Sequence, residues 1–154
     1  MPDATDTAHI VDTLAEQLDC YRRLADLGRR QGDLIATGQT AALLDLLKDR
    51  QAQTTRAAEC EQALAPFKRQ WADRRQAFPD ADRQRVEAML GEAKRLLADL
   101  TQRDEQDALA LRGRLGDADR ERRQTLREQR DVRRVNRHYA AGAYAAAGRV
   151  DFTK

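Results

Sequence analysis

Residues 33–51 read DLIATGQTAALLDLLKDRQ, a stretch that joins a helix stop to a helix start. Leu34 and Ile35 close one apolar stripe, and Gly38 can take the positive φ that ends a helix. Thr40 is placed to cap the next helix, its hydroxyl accepting from a free amide one turn on. Leu43, Leu44, Leu46 and Leu47 come directly after it and form the densest apolar cluster in the chain. A connection of two or three residues between helices makes an antiparallel αα-hairpin. The stretch therefore predicts that the segment before Gly38 packs back on the segment after Thr40. Gly38, Thr40, Leu43, Leu46 and Leu47 are its structural residues, and a buried Leu47 would cost about 2–5 kcal/mol on truncation to alanine.

Upstream, Ile10, Leu14, Leu18, Tyr21, Leu24, Ala25, Gly28 and Ile35 recur at three- and four-residue spacing, one face of a helix over 7–37. Gln31 interrupts that stripe. Downstream, the spacing predicts a helix over 41–76. Its leucine-rich start gives way to a weaker stripe of Gln51, Thr54, Ala58 and Leu64. Kinks are expected near 48–50 and at Pro66, which removes a helical amide. Phe67, Trp71 and Phe78 form an aromatic group suited to plugging one end of a bundle.

Pro79 and Asp80 punctuate the chain, with Asp80 as N-cap and Asp82 beside the positive helix end. Small or apolar residues then fall at 86, 90, 93, 97, 100, 108, 111, 115, 118 and 126, with Asp104 and Arg122 in the missing steps. The phase survives Gly113 and Gly116, so 80–138 reads as one long helix, with room for a kink at the two glycines. A short C-terminal helix to about 147 comes next. At 1.5 Å per residue the long helix would reach about 90 Å, roughly twice the first. Part of it must project past its partners or meet a second copy, which allows a homodimer.

Composition narrows the class. Long runs of Ala, Leu, Glu, Gln and Arg with 3 prolines in 154 residues favour an all-α fold, and 5% aromatic residues are too few for a sheet. With 41% apolar and 35% charged residues, the expected architecture is an antiparallel bundle of long helices with coiled-coil-like packing. The chain reads as a single helical domain, 1–154, with 118–154 as a marginally ordered partner-binding segment.

The net charge of +2 hides a gradient: residues 1–67 sum to −4 (7 basic, 11 acidic) and residues 112–137 to +5 (10 arginines, 5 acids). The arginines of this block read as covering the helix all round. Beyond them Val135, Tyr139, Ala143, Tyr144 and Ala147 make a small apolar face, with Val150 and Phe152 after it. Ordering the backbone costs about 1–2 kcal/mol per residue, more than these sparse apolar side chains offset without a partner. The partner-binding residues read from this segment are Arg130, Val132, Val135, Asn136, Tyr139, Tyr144 and Phe152.

No catalytic constellation stands out. His9 and His138 lack nucleophile or acid partners nearby, and the glycines lie singly in helical pattern rather than in a phosphate loop. Cys20 and Cys60 lack metal-ligand spacing and read as free buried thiols. No enzyme, cofactor or metal is expected. The absence of a signal-peptide core and of an apolar run near 20 residues points to a cytoplasmic protein without a membrane span.

The opening stretch resembles the FlgN-type flagellar export chaperone family. The likeness lies in a small loop, Thr37-Gly38-Gln39-Thr40, followed by Leu43, Leu46, Leu47, Arg50 and Gln51. It extends loosely over residues 10–65; the arginine block and the AAGAYAAAGRVDFTK ending lie outside it. The resemblance implies a cytoplasmic all-helical chaperone that holds flagellar hook-associated (hook–filament junction) proteins for the type III export machinery. It also implies a substrate-binding later helix carrying an asparagine, for which Asn136 is the candidate. Two readings compete: a coiled-coil scaffold or oligomerisation protein without a client, and nucleic-acid binding through the arginine helix. The second is disfavoured because aromatics do not interleave with the arginines before Tyr139 and acids are mixed among them.

Overall fold

The computed structural model describes the backbone of residues 4–147 and the side chains of residues 6–142. Among the described residues the fold is all-α. Helix α1 spans Ala4–Thr37, α2 Thr40–Arg74 and α3 Asp80–Ala147; a single 3-10 turn, Arg75–Ala77, leads into the α2–α3 corner. The chain divides into two units between Ala110 and Leu111.

In the first unit α1, α2 and the first part of α3 pack against each other, α2 antiparallel to the other two. Leu18, Cys20, Tyr21 and Leu24 of α1 meet Ala57 of α2 and Ala93 and Leu100 of α3 in one apolar cluster. Val11 and Leu14 meet Leu64, Phe67, Phe78 and Val86 in a second. The aromatic group closes that end: the Phe67, Trp71 and Phe78 rings contact one another at centroid distances of 5.2–6.2 Å in tilted and edge-on arrangements.

All three helices bury residues at the spacing of a coiled-coil seam. On α1 these are Leu14, Gln17, Tyr21, Leu24, Gly28, Gln31 and Ile35, and on α3 Val86, Ala93, Leu100 and Asp107, seven residues apart, with Met89, Leu96 and Arg103 half-buried between them. On α2 the seam is Leu46, Arg50, Gln53, Ala57, Cys60, Leu64, Phe67 and Trp71, an unbroken alternation of four and three. Of the stripe of Gln51, Thr54, Ala58 and Leu64 expected from the sequence, Leu64 lies on this seam and is buried, while the other three are exposed. Apolarity does not reveal the seam, because Arg50 and Gln53 occupy two of its places.

Gly38 is the only described residue with a φ in the left-handed region, at 69°. Its amide donates to the Ile35 carbonyl and the Gln39 amide to that of Leu34, the paired bonds of a Schellman motif. The N-cap of α2 is Gln39, not Thr40: Thr40 is the first helical residue, and the cap makes no side-chain hydrogen bond. Leu46 is buried and Leu43 half-buried, but Leu47 is 42% exposed, so the expected burial of Leu47 is overturned. On a helix, 43, 46 and 50 share a face that 47 lies beside.

Helix α2 is one helical element through 48–50 and through the exposed Pro66, the two places where kinks were expected. Helix α3 also runs on through residue 138 to Ala147 as one element, so no separate C-terminal helix forms. Ala140, Ala141 and Ala143 favour propagation, and Gly142 alone is a small penalty.

Candidate functional site

Two polar layers interrupt the bundle core. At the first, Gln17 donates to Glu61 Oε2 at 2.7 Å and Lys68 donates to the same oxygen at 2.5 Å. These bonds, that from Lys68 foremost, hold the Glu61 carboxyl below its usual range. At the second, Gln31 Nε2 donates to Asp107 at 2.7 Å while Arg50 donates to Gln31 Oε1 at 2.7 Å. The Arg50 guanidinium also grips Asp104 with two bonds of 2.8 and 2.9 Å, and its side chain is only 14% exposed. In the first layer the buried Gln17 Oε1 has no hydrogen-bond partner among the described residues, whereas in the second each of these groups answers another, as a buried polar network requires. Gln31, an unexplained interruption in the sequence, is the hub of this layer.

Among the described residues no group of three or more His, Cys, Asp or Glu side chains could hold a metal ion, and no helix is long and apolar enough to cross a membrane. Cys20 and Cys60 are free and buried, and burial foremost pushes both thiols up.

Past Asp107 the character of α3 changes. Every described residue from 108 to 142 is exposed. The seam positions that hold Val86, Ala93 and Leu100 earlier in the helix pass to Asp107, Arg114 and Glu121, so the apolar repeat ends there. Large apolar side chains nevertheless persist: Leu111, Leu115, Leu126, Val132, Val135 and Tyr139 all stand exposed, Tyr139 at 77%.

These side chains fall on distinct faces. Val132, Val135, Asn136 and Tyr139 sit at steps of three, one and three and share a face. Asp131, Arg134, Val135, His138, Tyr139 and Gly142 border one hollow along it. Arg130 lies on the other side of the helix and does not join the group predicted from sequence. Tyr144 belongs to α3, but its side chain lies outside the described residues, as does all of Phe152.

The arginines of this segment are also not spread all round. Six of the ten fall at 120, 123, 127, 130, 134 and 137, a strict alternation of three and four that makes one stripe. Their number hides that spacing, which emerges once the positions are set on one unbroken helix. Compared with protein-family models, with characterised proteins and with solved structures, the chain has no significant match.

Proposed function

We propose that the chain is a binding protein for helical segments of other proteins and, within that class, a cytoplasmic export chaperone for flagellar hook-associated proteins. It holds the client for the type III export machinery, without catalysis and without a cofactor. The observation that supports the class is the exposed second half of α3. A stretch of 35 residues, 108–142, buries none of its described side chains yet carries the apolar group Val132, Val135 and Tyr139 on one face. An amphipathic helix of this kind recognises partners by laying its apolar face against theirs, with anchors at helical spacing. The assignment to flagellar export is supported by the leucine pattern of residues 37–51.

The test is co-purification followed by calorimetric titration with hook-associated proteins. A one-to-one complex of micromolar or tighter affinity, about −8 kcal/mol, is the expected result. No binding to hook-associated proteins, together with a stable oligomer, would favour the client-free scaffold instead.

A further inference from the structure

The arginine stripe is in excess over the acids of its own stretch of helix, ten arginines against five acids over 112–137. Arg120 pairs with Asp117, whereas Arg123, Arg127, Arg130, Arg134 and Arg137 make no ion pair among the described residues. Side chains three and four apart on a helix stand about 5–6 Å from each other, and like charges at that spacing destabilise it. A row of guanidiniums therefore calls for an anionic surface of matching geometry. Arginine, rather than lysine, at all six places suits the planar, two-bond recognition of carboxylates.

The first unit carries such a surface. On α1 the positions 12, 16, 19, 23, 26, 30 and 33 repeat the same alternation of four and three and hold Asp, Glu, Asp, Arg, Asp, Arg and Asp, a net charge of −3. All seven are exposed and lie opposite the buried seam of Leu14, Tyr21, Gly28 and Ile35. Glu16, Asp19 and Asp26 have partners in Arg56, Arg22 and Arg29, but exposed pairs of this kind are worth little and exchange readily. Both rows rise about 5.2 Å per charge along a helix axis, so a long stretch can stay in step.

We propose that the arginine stripe of α3 docks along the acidic stripe of α1 in a second copy of this chain, giving a dimer with two equivalent contacts. Reciprocal contacts of one patch type are what a two-fold dimer requires. The common spacing favours a helix over nucleic acid as the occupant. The stripe is centred on the side of the helix away from Val132 and Tyr139 and meets the hollow beside Val135 only at Arg134, and the proposal does not rest on the chaperone reading.

Sedimentation equilibrium of the full chain tests it, in salt of about 0.01 M and about 1 M, where charges are screened beyond about 30 Å and 3 Å. The expected result is a dimer at low salt and a monomer at high salt. R127E/R130E should be monomeric at both, as should D19R/D26R, with circular dichroism showing that each keeps its helix content. Mixed in equal amounts, the two variants should recover the dimer, because only the mixed pair sets opposite charges at both contacts. A monomeric wild type at low salt would overturn the proposal, including one that binds a DNA duplex instead. So would a dimer insensitive to either reversal, or a mixture that stays monomeric.

Discussion

Gly38 is where a single residue decides the course of the chain. Its φ of 69° places any L side chain in the left-handed region, which costs about 1–2 kcal/mol. Gly38→Ala should lower stability by that amount in urea melts, with the hairpin retained; a change within error would show that the turn relaxes freely. Glu61 offers a second test, through pH. Its folded pKa is depressed, so its contribution is fully present above the ordinary carboxylate value of 4.5 and is lost as pH falls through the lowered value. The stability gap between wild type and Glu61→Gln should hold at neutral pH and close in acid. A gap that widens in acid would show that the Lys68 and Gln17 bonds do not favour the charged form.

Helix α2 shows what a sequence makes legible at the scale of an element and what it hides. Its existence, start and end can be read from the glycine stop, the leucine cluster and the Pro79–Asp80 break. Its inward face cannot, because apolarity is the guide and the seam includes Arg50, Gln53 and Cys60. Arg50 can be buried only because Asp104 and Gln31, 54 positions after it and 19 before it, converge on its guanidinium. Such long-range pairing leaves no trace in local periodicity. The leucine cluster misleads in the same way, since four leucines cannot all face inward over five positions. Leu46→Ala should therefore cost about 2–5 kcal/mol. Leu47→Ala, at 42% exposure, should cost less than about 1 kcal/mol. Equal losses in denaturant melts would contradict the assigned face.

Over the whole molecule, a bundle with polar layers in its core continues into a helical segment that buries none of its described side chains, and the proposed partner-binding face lies on that segment. The helical class and the change of character after Asp117 are readable from composition and charge. The grouping of Val132, Val135, Asn136 and Tyr139, and the exclusion of Arg130 from it, come from tracing positions around one unbroken helix. The most direct measurement is calorimetric titration of a hook-associated protein into V135D/Y139D, with L97D as control. Leu97 is an equally apolar residue in the bundle, 50% exposed, as Val135 is. The expected result is at least tenfold weaker binding for V135D/Y139D, about 1.4 kcal/mol, and unchanged binding for L97D. Unchanged affinity in V135D/Y139D, or an equal loss in L97D, would contradict the placement of the site on the exposed half of α3.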